Sequence, residues 1–135
     1  MNIVGMNLSN ITRLIDVFLS GPLYILISSY IARPTILRYY MLFTGLLNII
    51  YNGHNFLLFT SNIKQPLPIL KPFVHLHNGK TQTHRLYNLF IMYPIFTYVL
   101  LNVDMPNVVR AVFLVDIIIG IAYNLYYYLI IYKNL

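Results

Sequence analysis

Residues 108–132, VVRAVFLVDIIIGIAYNLYYYLIIY, decide which fold this chain can adopt. A helix needs about 20 mostly apolar residues, at about 1.5 Å each, to cross the hydrocarbon core of a bilayer. This stretch exceeds that length and contains two charged residues, Arg110 and Asp116. It therefore predicts a membrane-spanning helix.

The composition of the whole chain agrees with that prediction. The chain has 135 residues, of which 59% are hydrophobic and 9% are charged, whereas about 25% are charged in an ordinary soluble domain. A small soluble domain exposes much of its surface and needs more polar residues than this. The chain has 3 acidic residues, all Asp, a net charge of +6 and no cysteine. These figures exclude disulfides and thiolate metal sites and leave few groups for acid–base chemistry, so we expect a non-enzymatic membrane protein.

Three further apolar stretches of spanning length lie N-terminal to residues 108–132, at residues 14–32, 36–59 and 86–103. Residues 61–85 lie between the second and third and contain three prolines, three histidines and four basic residues, a composition typical of a loop. The sequence therefore predicts an all-α protein, a multi-pass transmembrane bundle of about four helices with one long basic loop. We expect residues 1–135 to form a single integral membrane domain.

Glycine, proline and polar residues interrupt three of the predicted helices. Gly21-Pro22 would kink or split the first, so residues 14–32 either span the membrane or lie in its interface, and Pro94 would kink the third. The second has a polar interruption at residues 52–55, where it can end. We expect the first stretch to be retained and not removed as a signal peptide. No internal repeat is evident from the residues.

The positions of lysine and arginine predict an orientation in the membrane, because cytoplasmic loops carry an excess of both. With four spans, one side of the membrane receives six basic residues: Arg13, Lys64, Lys71, Lys80, Arg85 and Lys133. The other side receives Arg33, Arg38 and Arg110. We therefore expect both termini and the long loop on the cytosol-like side.

Polar residues within the predicted spans form a candidate site. Charged groups there are costly and often functional. Asp116, Gly120, Tyr123 and Tyr127 follow helical spacing. We expect an intramembrane polar seam that joins helices through Asp16, Asn48, Asp116, Tyr123 and Tyr127. The alternative is a proton or ion channel lined by Asp116. Asn88 and Asn102 share no clean helical face, and we assign them no site.

The loop offers four cations, Lys64, Lys71, Lys80 and Arg85, to a partner or to anionic lipid. A membrane-adjacent basic loop needs no nucleic acid to explain it, so we do not expect nucleic-acid binding. The histidines make a weak metal site because the loop lacks acids and cysteines. His54 and His84 could in principle face one haem, but axial ligands usually lie within helices. We expect no cofactor.

One stretch resembles a known class of proteins. Residues 77–96, HNGKTQTHRLYNLFIMYPIF, with Asn52-Gly53-His54-Asn55 upstream, look like small multi-pass membrane proteins of nucleocytoplasmic large DNA viruses, whose particles hold a membrane beneath an icosahedral capsid. The resemblance contains no catalytic motif, and no functional residue can be carried over. It implies a minor capsid protein that links the virion inner membrane to the capsid, with lipid and other subunits as partners.

A second class shares the same composition. Mitochondrially encoded subunits of respiratory complexes are also small, hydrophobic and biased toward the residues of an AT-rich genome. The alternative function is therefore a quinone or haem anchor in the mitochondrial inner membrane.

Overall fold

The structure is a computed structural model that describes residues 8–60, 68, 82–126 and 128–129. Within these residues the regular structure is helical, without strands, and the prediction of an all-α protein is confirmed. The chain divides into two compact units, residues 1–79 and 80–135. Each unit contains one antiparallel pair of helices, which we call hairpin 1 and hairpin 2.

Hairpin 1 consists of helix α1, residues 8–28, and helix α2, Thr35–Phe59. Helix α1 is α-helical over Leu8–Ile15, π-helical over Asp16–Ser20 and α-helical again over Gly21–Ser28. Pro22 explains the π-helical turn, because proline has no amide hydrogen and its ring clashes with the carbonyl four residues before it. Helix α2 continues through residues 52–55, so the polar interruption in the sequence does not end it.

A close contact between two glycines brings the helices of hairpin 1 together. A Cβ atom placed on Gly45 would lie 2.6 Å from the carbonyl oxygen of Gly21 and 2.7 Å from Cγ1 of Ile25. A Cβ atom on Gly21 would lie 2.6 Å from Cγ1 of Ile49. Ile25 is thus opposite Gly45, and Gly21 is opposite Ile49. One turn further along α2, Gly53 lies against Val17. Glycine is needed at this crossing because backbone atoms occupy the space of a side chain.

Hairpin 2 consists of helix α3, residues 82–102, and helix α4, Asn107–Tyr126. Helix α3 repeats the pattern of α1: α-helix over Gln82–Tyr87, a π-helical turn over Asn88–Met92, then α-helix over Tyr93–Asn102. Pro94 follows that π-helical turn as Pro22 follows the first. The rings of Phe96 and Phe113 pack with centroids 5.5 Å apart, and Gly120 lies directly against the phenol of Tyr93.

The two hairpins have the same order of helical elements at the same spacing along the chain. The π-helical turns begin at Asp16 and Asn88, and the second helices begin at Thr35 and Asn107. Both intervals are 72 positions.

Among the described residues, two helical stretches are long and apolar enough to cross a membrane, Ile11–Ser28 and Asn107–Tyr126. Helices also occupy the other two predicted spans, 36–59 and 86–103, but there the asparagines and tyrosines lower the mean hydropathy. Helix α3 begins at Gln82, four residues before the predicted start, so Arg85 belongs to a helix and not to the loop. The arrangement of all four helices as one transmembrane bundle, in one domain, stays a prediction.

Candidate functional site

Polar side chains fill the interior of hairpin 1 near the end that is distant from its connection. Arg13, Ser20, Asn52, His54 and Asn55 are all buried, and Asn55 is completely so. Because Val17 faces Gly53, the predicted residue Asp16 lies at the level of this group, and it is half-buried. We call this set the polar end of hairpin 1.

Hydrogen bonds hold the carboxamides of this polar end in place. The Nδ2 atom of Asn52 donates to the backbone oxygen of Asn48 at 3.0 Å and to its Oδ1 at 3.4 Å. The Nδ1 atom of His54 and the Oδ1 of Asn55 are 3.3 Å apart. The predicted residue Asn48 is therefore part of an asparagine pair along α2. The pairing satisfies amide groups that would otherwise be buried without partners.

An asparagine pair also joins the two helices of hairpin 2. Asn88 donates from Nδ2 to the Oδ1 of Asn124 at 3.3 Å, and Asn124 donates to the backbone oxygen of Gly120 at 2.7 Å. Both side chains are at least 98% buried. The sequence assigned Asn88 no site because helical spacing compares residues of one helix only, whereas the partner of Asn88 lies on the other helix of hairpin 2. Asn102, by contrast, is exposed and donates to the Tyr98 carbonyl on its own helix.

Arg110 closes the opposite end of hairpin 2. Its guanidinium donates to the backbone oxygen of Val103 at 2.8 Å and to that of Leu100, two carbonyls at the end of α3. A helix leaves its last carbonyls without intrahelical donors, and its C-terminus carries partial negative charge. Arg110 supplies both the donors and the positive charge. The sequence assigned it only to one side of the membrane, whereas the structure shows that it also stabilises the connection of hairpin 2.

The remaining predicted residues divide into three groups. Asp116 and Tyr123 are half-buried on α4, whereas Tyr127 lies outside the described residues. Arg85 is completely buried, so the prediction that it offers its charge to a partner is wrong. The physical reason is that α3 begins earlier than expected and carries Arg85 into the packed part of the helix. Lys64, Lys71 and Lys80, and the side chain of His84, also lie outside the described residues.

The arrangement of the described side chains suits helix–helix attachment. Among these residues, no three His, Cys, Asp or Glu side chains come together as metal ligands would. Of the carboxamide bonds described above, the one between Asn88 and Asn124 joins two helices, as polar groups do in lipid, whereas those of Asn52 lie within α2. No family model matches this chain, and neither a curated protein nor a solved structure is similar to it.

Proposed function

We propose that the protein is a non-enzymatic multi-pass membrane protein that serves as a structural subunit of a large assembly. One observation carries the membrane part of the proposal: large apolar side chains are exposed on all four described helices, while several polar side chains are buried. Arg13, Arg85, His54 and Asn124 are buried together with apolar residues such as Phe96, while many phenylalanine, isoleucine and leucine side chains are exposed.

The exposed apolar surface is too large for water. Ile36, Phe18, Val108, Phe90 and Leu101 are each more than 70% exposed. Removing one such side chain from water is worth about 1.5–3 kcal/mol, and soluble monomers rarely present contiguous apolar patches beyond a few hundred Å². These residues occur on all four helices, so hydrocarbon around both hairpins satisfies them together.

Membrane insertion is tested by extraction of the expressed chain from membranes. We expect it to resist alkaline carbonate and to be released only by detergent, because its contact with lipid is apolar and not electrostatic. Release by carbonate would contradict the insertion of the hairpins.

The assembly part of the proposal names a virion whose inner membrane lies beneath a capsid. It is supported by the resemblance of residues 77–96 to viral membrane proteins and by the cations of the long loop. Lys64, Lys71 and Lys80 remain the partner-facing charges of that loop, since Arg85 is buried.

Replacement of the three lysines by alanine tests the role of the loop. We expect weaker incorporation into the particle with unchanged membrane insertion. The matched control is Arg33→Ala with Arg38→Ala, which removes exposed charges near the other end of hairpin 1. Unchanged incorporation of the lysine variant would reject docking through the loop. Mass spectrometry of the parent particle separates capsid partners from respiratory subunits.

A further inference from the structure

The two halves of the chain align without a gap. Residues 10–57 correspond to residues 82–129 at a constant interval of 72 positions. The identical pairs are Arg13/Arg85, Leu14/Leu86, Phe18/Phe90, Pro22/Pro94, Pro34/Pro106, Arg38/Arg110, Leu42/Leu114, Ile49/Ile121, Tyr51/Tyr123, Asn52/Asn124 and Leu57/Leu129. More than half of these pairs are proline, arginine, tyrosine or asparagine, so a shared bias toward leucine and isoleucine does not produce the match.

The retained prolines occupy corresponding places in the two halves, although the Arg33–Pro34 peptide bond is cis and the Met105–Pro106 bond is not. Pro22 and Pro94 each follow a π-helical turn of five residues and occupy the first turn of the next α-helical segment. Pro34 and Pro106 each directly precede the second helix of their hairpin. The fold of each hairpin therefore depends on the same residues at the same intervals.

The retained polar residues are also equivalent. Arg13 and Arg85 are both buried, as are Asn52 and Asn124. The side chain of each asparagine donates from Nδ2 to the backbone oxygen four residues before it, at 3.0 Å in hairpin 1 and 2.7 Å in hairpin 2. The polar end of hairpin 1 thus has a counterpart in hairpin 2.

We infer that the chain is a tandem duplication of one helical hairpin, in which the buried arginine and the asparagine form one polar site that occurs twice. The inference itself rests on register and packing, and it does not depend on the proposed function.

The duplication bears on the role of Asp16. Its counterpart in hairpin 2 is Asn88, three residues after the buried Arg85. The repeated site therefore has a neutral carboxamide at this position in hairpin 2. The duplication predicts that Asp16→Asn is tolerated in hairpin 1, unlike the neutralisation of an acid in a proton or ion path.

Paired cysteines test the duplication directly, because the chain has no cysteine of its own. A Cβ atom on Gly53 would lie 3.6 Å from Cγ2 of Val17, which brings Val17→Cys and Gly53→Cys within the reach of a disulfide. The equivalent pair in hairpin 2 is Leu89→Cys with Leu125→Cys. The matched control is Leu89→Cys with Leu129→Cys, displaced by about one helical turn of 5.4 Å.

We expect the two equivalent pairs to oxidise to extents within about twofold of each other in the full-length protein, and the displaced pair to oxidise at least about tenfold less. Protection from a maleimide polymer, followed on a gel, measures the extent. Oxidation of the displaced pair as fast as the equivalent one, or failure of either equivalent pair, would overturn the duplication. These measurements in detergent stand apart from the carbonate extraction, so the two proposals can fail separately.

The role of Asp16 is tested in the background of the cysteine pair in hairpin 1. We expect Asp16→Asn to keep the extent of disulfide formation within about twofold, since hairpin 2 has this residue naturally, and Asp16→Leu to lower it, because leucine cannot hydrogen-bond. A loss with Asp16→Asn equal to that with Asp16→Leu would show that the charge is required and would contradict this prediction.

Discussion

Replacement of Gly45 by alanine should destabilise hairpin 1, although alanine is the better helix former. The added methyl group would lie 2.6 Å from the Gly21 carbonyl oxygen and 3.0 Å from the backbone nitrogen of Ile25, where ordinary contacts are 3.4–4 Å. Backbone atoms cannot rotate away, so the helices must separate. Overpacking of this kind costs about 2 kcal/mol, and alanine returns about 1 kcal/mol of helix propensity. We expect a net loss of about 1 kcal/mol in the free energy of unfolding.

Gly53→Ala is the matched control on the same helix. Its methyl group would meet only Cγ2 of Val17 at 3.6 Å, an ordinary contact. The helix propensity of alanine should then stabilise α2 by up to about 1 kcal/mol, which separates the two variants by about 2 kcal/mol. Titration with sodium dodecyl sulfate in mixed micelles, followed by helical circular dichroism, measures the difference. Equal stabilities of the Gly45 and Gly53 variants would refute the close crossing of α1 and α2.

Three further predictions concern hairpin 2. A double-mutant cycle of Asn88→Leu and Asn124→Leu should show a coupling of about 0.6 kcal/mol, the typical value between membrane helices, and a coupling of zero in the same titration would contradict the hydrogen bond. Arg110→Met should lower the free energy of unfolding by about 1–2 kcal/mol, because two charge-assisted hydrogen bonds at the end of α3 are lost, and Arg110→Lys should recover part of this loss. Equal stability of wild type and the methionine variant would argue against a stabilising contact between Arg110 and these carbonyls. Gly120→Ala should bring a methyl group against the phenol of Tyr93 and lower the free energy of unfolding by about 1–3 kcal/mol. The same substitution should lower it less in a Tyr93→Leu background, and an equal loss in both backgrounds would show that the methyl group does not clash with Tyr93.

The sequence was sufficient to predict where the helices lie, but not which residues of each helix face its neighbour. Long apolar runs predicted helices at all four positions that have them, and Pro22 and Pro94 marked the two irregular turns. Asn88 was missed because its partner, Asn124, lies on the other helix of hairpin 2. A helical period of 3.6 residues shows which residues of one helix share a face, but not which residue of another helix that face meets.

Arginine residues show the same limit. A cation near the end of an apolar run predicts an interfacial position, yet Arg85 is buried and Arg110 binds backbone carbonyls. Both outcomes depend on where the first helix of hairpin 2 begins and ends, and helix boundaries are poorly determined by composition. The two π-helical turns, at Asp16–Ser20 and Asn88–Met92, are likewise local features that composition does not locate.

The most direct test of the account is the accessibility of single cysteines in sealed vesicles. We expect Ala32→Cys and Asp104→Cys, in the connections of the two hairpins, to react with an impermeant maleimide from the same side, and Thr60→Cys to react from the other. Phe18→Cys and Ile118→Cys, at exposed apolar positions, should react only after detergent is added, because lipid covers them. Labelling of Phe18→Cys and Ile118→Cys in intact vesicles, or of the two connections from opposite sides, would contradict the predicted four membrane spans.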